Sequence, residues 1–177
     1  MAQLIMNWEN DGTEARKPIV PSDVEVKNFP SLDQALTAWQ EIVKYLDENG
    51  QLDTSGDYYK IAMLDYPNYE EELCYFLLVD GQAAATLTVI CDYEKKQGYI
   101  HMVACKPEFR GRGLGRLLND IAVYTLKEKK MQTAYLTTDD WRIPAIKSYL
   151  RAGFFPDLES EADFKERWEK IYTSIGL

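Results

Sequence analysis

The sequence predicts an α/β fold with a mixed sheet, antiparallel in its first half and built from a βαβ unit in its second. Two observations carry this. Three runs rich in strand formers, at 73–79, 83–91 and 99–105, follow one another through short turn signals, the pattern of an antiparallel meander. The period then changes. Leu114, Leu117, Leu118, Ile121, Ala122 and Leu126 fall on one helical face, and a strand run at 134–138 follows. Strand, helix, strand is a crossover, and a crossover makes its two strands parallel.

A length of 177 residues suits one domain, here 1–177, and an apolar share of 46% is enough for a sizeable core. The first 27 residues are weakly patterned, with Pro18 and Pro21 as punctuation and Leu4-Ile5-Met6 as a short edge strand. Ser31-Leu32-Asp33-Gln34 opens a helix with a capping arrangement. Leu36, Trp39, Ile42, Val43 and Leu46 continue it at helical spacing, and Asn49-Gly50 ends it. A shorter helical piece is expected near 55–63. Asp80-Gly81 is a strong hairpin signal, and the run 95–98 makes a second turn. Lys127, Lys129 and Lys130 suit the negative end of the helix that starts at Leu114. Pro144 sits in the first turn of another helix, whose apolar face is Ala145, Ile146, Tyr149 and Leu150 and whose stop is Gly153. Phe154-Phe155 reads as one more strand. A C-terminal amphipathic helix over 160–172 is anchored by Phe164, Trp168 and Ile171.

Composition narrows the function. A net charge of −9 argues against a nucleic-acid partner, which needs a basic face. Cys74, Cys91 and Cys105 have no metal-ligand spacing and His101 is the only histidine, so no metal is expected and the thiols read as reduced. Residues 1–15 hold Glu9, Asp11 and Glu14 and no apolar run that suits a signal peptide. No segment approaches the roughly 20 apolar residues that span a bilayer. The expectation is a cytoplasmic protein with no membrane partner.

The chemistry concentrates after the third strand of the meander. Pro107 ends that strand, and Arg110-Gly111-Arg112-Gly113-Leu114-Gly115 leads into the helix. Glycines admit positive φ and close backbone approach. The first amides of a helix point outward with the positive end of the dipole. Together they make a phosphate site. Lys106, Arg110, Arg112 and Arg116 cluster here in an acidic chain, and a bound polyanion accounts for that contrast. A Walker A loop needs Gly-Lys-Ser/Thr, which is missing, and the dinucleotide fingerprint fails because Arg116 stands where its third glycine belongs.

The segment from Val103 to Gly115 resembles the coenzyme-A signature of the GNAT acetyltransferase superfamily. Ala145-Ile146-Lys147-Ser148-Tyr149-Leu150-Arg151-Ala152-Gly153-Phe154 resembles that family's second motif, at the expected distance downstream. The likeness covers about residues 73–156. It implies a GNAT-like sheet with helices on both faces and acetyl-CoA as acyl donor. It also implies a bulged central strand whose free backbone groups pair with the pantetheine arm, a role that falls on the main chain of Val103, Ala104 and Cys105. Pyrophosphate binding falls on Arg110, Gly111, Arg112, Gly113, Leu114 and Gly115, largely through amides. Arg116 reaches the same phosphates or the 3′-phosphate of the nucleotide.

In that family a tyrosine of the second motif serves as general acid, and Tyr149 holds the position. A phenol can protonate a departing thiolate at short range; packing its ring on the cofactor is the other reading. For the base, period-2 alternation puts Tyr99, His101 and Val103 on one face. His101 has a suitable unperturbed pKa and acts directly, through water, or only as a hydrogen-bonded sheet residue. Two departures from the family pattern stand out. Arg142 occupies a place where asparagine is common, and the usual last strand is not visible after Phe155.

The acceptor falls to the variable regions, 29–70 and the carboxyl end. Tyr58, Tyr59, Tyr66 and Tyr69, with Asp57, Asp65, Glu70, Glu71 and Glu72, suit a cationic amine of a small molecule or peptide; a solvated acidic loop with packing tyrosines is the plainer reading. The function expected is an N-acetyltransferase acting by direct attack in a ternary complex. The alternative is a non-catalytic acyl-CoA-binding regulator on the same fold. Pairing into a homodimer is common in the family, and the oligomeric state stays open.

Overall fold

A computed structural model describes residues 2–29, 31–47 and 51–176. Their organising element is one seven-stranded sheet in the order β2-β3-β4-β5-β6-β1-β7. β3 (Cys74–Val79), β4 (Gln82–Asp92) and β5 (Gln97–Cys105) form the expected antiparallel meander, and β2 (Val24–Lys27), a strand the weakly patterned amino-terminal segment did not announce, pairs antiparallel with β3 at its edge. β5 and β6 (Thr133–Thr138) run parallel across the crossover helix α3 (Leu114–Glu128).

Local chemistry explains the corners. Asp80 and Gly81 both have positive φ, 50° and 77°, the requirement of a hairpin turn whose twist matches its strands. The second turn occupies 93–96, earlier than expected, and Gln97 and Gly98 belong to β5. Gly98 is needed there because a side chain would run into Leu126 of α3 and Ala134 of β6. β4 is buried on both faces along almost its whole length, as its run of apolar residues requires.

Helices cover both faces. α1 (Leu32–Val43) buries Ala35, Ala38, Trp39, Ile42 and Val43 on one side. α2 (Gly56–Tyr59), capped by Ser55 and continued by a π-helical turn at Lys60–Leu64, lies on the same side and agrees with the helical piece expected near 55–63. α3 packs on the other side, with α4 (Ile143–Arg151) and α5 (Phe164–Ile175). The expected stop of α1 at Asn49-Gly50 lies outside the described residues. α4 ends as read: Gly153 has φ 92°, and the amide of Phe154 donates to the Tyr149 carbonyl at 3.0 Å. α5 starts at Phe164 and runs to Ile175, later than the span 160–172, with Phe164, Trp168 and Ile171 buried as anchors. No helix of the described residues is long and apolar enough to cross a membrane.

The amino-terminal strand corrects the sequence reading. β1 (Leu4–Glu9) is six residues long and internal, not a short edge. It pairs antiparallel with β6 from Leu4↔Thr138 to Glu9↔Thr133 and with β7 (Phe155–Pro156) on its other side. Leu4, Met6 and Trp8 point into the core at 0%, 0% and 4% exposure. Their alternation with Ile5, Asn7 and Glu9 is the period of a half-buried strand. β1 therefore fills the place beside β6 that no strand after Phe155 takes. Arg167 of α5 fastens this arrangement, donating to the Ala2 carbonyl at 2.9 Å and to the Asp140 carboxylate from its Nε at 3.1 Å. Truncation of a side chain in β1 should thus behave as core truncation. Met6→Ala is expected to lower the unfolding free energy by about 2–5 kcal/mol, read from the urea midpoint, while Glu9→Ala on the exposed face stays within about 0.5 kcal/mol.

Candidate active site

The site begins with an extra residue in β5. Thr88 pairs with His101, yet Thr86 pairs with Ala104, so β5 carries one residue more than β4 over this stretch. The surplus is absorbed at Met102, whose φ is 54°. A left-handed non-glycine residue in a strand marks a bulge. The bulge reverses the phase of alternation. Tyr99 and His101 face the α2 side, whereas Val103 joins Ile100 on the α3 side and Met102 and Ala104 turn toward α1. The expectation that Tyr99, His101 and Val103 share a face is therefore wrong, because simple alternation does not survive an inserted residue.

The same strand parts from its other neighbour. Pairing of β5 with β6 runs from Gln97↔Thr133 to Ile100↔Leu136 and stops, although β5 continues to Cys105 and β6 to Thr138. A cleft opens between the strand ends. Backbone groups of 101–105 on this edge lack a strand partner, and two carbonyls are met by arginines instead. Arg142 donates from Nη2 to Val103 at 3.2 Å, and Arg110 donates from Nε to Cys105 at 3.4 Å. Thr138, at the end of β6, has a buried hydroxyl with no partner among the described residues.

Below the cleft lies the glycine-rich loop. A short 3₁₀ turn at Pro107–Phe109 carries the chain from β5 into it. Gly111 and Gly113 both have φ 79°, and a Cβ on either would meet nothing within 4 Å. Their requirement is the dihedral angle, and the space they face is open. The first amides of α3 point into the same space. Gly115 differs: it faces Ser148 of α4, which also accepts a hydrogen bond from Asn119 at 2.8 Å. It serves helix contact. The four basic residues do not form one free patch. Lys106 is paired with Glu41 at 2.7 Å, Arg112 with Asp23 at 2.8 Å, and Arg110 is turned onto Cys105. Arg116 has no ion pair among the described residues.

Tyr149 and His101 lie on opposite faces of the sheet. Tyr149 is 3% exposed among the α3-side core, with its ring against Phe154. Burial pushes its phenol above the ordinary tyrosine range, and the Arg142 guanidinium opposes that push. His101 is 8% exposed, and its Nε2 lies 2.8 Å from the Ala62 carbonyl. A carbonyl only accepts, so Nε2 carries the hydrogen and Nδ1 of the neutral ring is left with its lone pair. Burial lowers the His101 pKa below 6.5, against the Ala62 bond.

His101 sits in an aromatic wall that the sequence reading missed. Tyr66 lies 4.6 Å from its ring and Tyr99 5.2 Å, and Tyr135 stacks on Tyr99 at 4.7 Å. Tyr99 and Tyr135 are register partners across the parallel pair, a signal visible once that register is known. The expected tyrosine cluster divides instead. Tyr59 is buried against Trp39, Tyr69 packs in the same α1-side core, and Tyr66 alone turns to His101. Among the described residues no three histidine, cysteine or carboxylate groups converge on a metal-sized site.

The description of the acetyltransferase (GNAT) family matches residues 37–154. A mycothiol acetyltransferase from Streptomyces bingchenggensis is 28% identical over 147 residues, which are 78% of this chain and 45% of the relative. The chain thus spans less than half the length of that relative. Two solved structures share the fold. A GCN5-related N-acetyltransferase from Sphaerobacter thermophilus gives a TM-score of 0.68 at 20% identity, over 89% of this chain and 50% of that one. The N-acetylglutamate synthase from Neisseria gonorrhoeae complexed with coenzyme A and N-acetyl-glutamate gives 0.59 at 18% identity, over 89% and 34%. With its glycine loop, bulged strand and open cleft inside the matched span, the chain belongs to the acetyltransferase (GNAT) family.

Proposed function

We propose that the chain is an acetyl-CoA-dependent N-acetyltransferase that acts on a primary amine of a small molecule or peptide, by direct attack in a ternary complex. The observation that carries this reading is the alignment of two features: left-handed glycines at the start of α3, and unpaired strand edges directly above them. The fit to acetyl-CoA is chemical. Gly111 and Gly113 leave open space where the diphosphate would press, and the free edge of 101–105 offers amides and carbonyls to an amide-bearing arm. The buried Thr138 hydroxyl has a hydrogen bond to give, and leaving it unmade costs about 1–3 kcal/mol. When bound, the donor supplies an activated thioester carbon.

The chain's own groups would then do two things. Tyr149 holds a proton: its raised pKa keeps the phenol protonated across neutral pH, the state an acid needs at a departing thiolate. His101 holds a vacancy for one: Nδ1 is unprotonated at neutral pH and accepts from the amine directly or through water. The aromatic wall of Tyr66, Tyr99 and Tyr135 offers ring faces to a cationic amine before it loses its proton.

Thiol release from acetyl-CoA, measured against a panel of small amines and peptide amino termini, tests the reading. Turnover on at least one amine is expected, and CoA binding with no turnover on any would favour the regulator instead. Tyr149→Phe is expected to lower kcat at least about tenfold, or about 1.4 kcal/mol in the barrier, with little change in acetyl-CoA affinity. An unchanged kcat removes the acid role. The fold favours the neutral His101 ring, so both its stability contribution and its capacity as a base are full above pH 6.5 and decline as pH falls below it. The acid limb of kcat/KM is therefore expected below pH 6.5 and should vanish in His101→Gln; an acid limb identical in the variant would assign the base to water alone.

A further inference from the structure

The connection between β1 and β2, residues 10–23, carries no regular structure, yet it is pinned at one end to α3 and at the other to the glycine-rich loop that precedes it. Near its start Lys127 donates to Asp11 and to the Thr13 hydroxyl, each at 2.6 Å. At its end Asp23 accepts from Arg112 at 2.8 Å, inside the glycine-rich loop. Between the pins this strap, the outer face of α3 and the C-terminal end of α4 enclose an open groove of about 820 Å³. The groove reaches Gly113, so it is continuous with the space the loop glycines face. Its volume falls in the range of about 300–1,000 Å³ usual for small-molecule sites.

The charge of the groove is opposite to that of the chain. Arg16, Lys17, Arg112, Arg116, Lys127 and Arg151 line it against three acidic residues, in a protein of net charge −9. Arg112 and Lys127 are used by the pins. Arg16, Lys17, Arg116 and Arg151 have no ion pair among the described residues. Uncompensated cations held together repel, so an anion in the groove explains their grouping better than solvation does. Ile19, 92% exposed on the strap, gives the same groove an apolar surface for a purine to cover.

We propose that the strap is a clamp on the nucleotide end of the acyl donor. Arg16 and Lys17 hold the ribose 3′-phosphate of coenzyme A, with Arg116 on the opposite wall, and so set a preference for coenzyme A over its 3′-dephospho form. The inference rests on the acetyl-CoA reading, because it places the diphosphate at Gly113 and the 3′-phosphate one sugar away. It assigns function to the weakly patterned amino-terminal segment, which lies before the residues matched by the family.

Calorimetric titration of the full chain with coenzyme A and with 3′-dephospho-coenzyme A tests it. Wild type is expected to bind coenzyme A at least about tenfold more tightly than the dephospho form. In Arg16→Ala/Lys17→Ala that ratio should collapse toward one, through weaker coenzyme A binding alone. Arg16→Lys/Lys17→Arg, which keeps both charges, should retain most of it, and a thermal melt of each variant checks that the domain stays folded. Equal binding of the two ligands by wild type, or a ratio unchanged in the alanine variant, overturns the clamp while leaving the donor reading intact. Failure of wild type to bind either ligand overturns the donor reading and the clamp together.

Discussion

One surplus residue in a central strand organises this molecule. Met102 sits at φ 54° inside β5, a conformation that costs a non-glycine residue about 1–3 kcal/mol. It persists because β4 holds β5 on both sides of the fault, at Thr88↔His101 and at Thr86↔Ala104. Three consequences follow from that single insertion. The side chains after it exchange faces, so Val103 and Cys105 join the α3-side core and Ala104 the α1-side core. The strand bends away from β6 after Ile100. The freed edge then stands directly before the turn at Pro107 that delivers the glycine loop. The cleft edge and the glycine cradle are thus close neighbours along the chain, with Gly111 nine residues after Met102.

A sheet split down one side needs its outer half held from elsewhere. β6 has only four partners on β5, from Gln97↔Thr133 to Ile100↔Leu136, and six on β1. The amino-terminal strand is therefore the stronger support for the far wall of the cleft. Arg167 extends that support, since one guanidinium ties Ala2, just ahead of β1, to Asp140, just beyond β6. Arg167 is 7% exposed, and a second carboxylate, Asp163, lies 3.6 Å from the same guanidinium. Asp140 is held below the usual carboxylate range by that same guanidinium. The neighbouring loop places Arg142 on the Val103 carbonyl.

Much of this was legible in the residues. Period changes marked the meander and the crossover, because burial on one face writes itself into spacing. Asp80-Gly81 and Gly153 announced their turns through φ angles that other residues avoid. What stayed hidden has a common cause: it depends on pairings between distant segments. Leu4, Met6 and Trp8 alternate plainly, yet nothing local says that their strand lies between β6 and β7. Met102 is an ordinary strand residue by type, and only the register with Thr86 and Thr88 reveals the bulge. Arg112 and Lys106 looked like free cations because Asp23 and Glu41 lie far away in sequence. Tyr59 and Tyr69 looked like Tyr66, since composition does not say which ring turns inward.

The two faces of the split sheet differ in sign, and that difference bears on how two substrates would be kept apart. On the α3 side, cations line the groove that leads to Gly113. On the α2 side, Asp57, Asp65, Glu71 and Glu72 are exposed in the segment that also carries Tyr66. In the proposed reading, a polyanionic donor and a cationic acceptor are each drawn to the opposite face and repelled from the other's. Surface charges act over about a Debye length, roughly 8–10 Å at physiological salt, so such sorting acts at the mouth of each site and not at long range. The cleft between β5 and β6 is where both faces open on the same atoms. Only there must the acceptor shed its charge, and there His101 is neutral and desolvated rather than acidic. The carboxylates that would attract a cation thus stay outside the place where a cation would be unreactive.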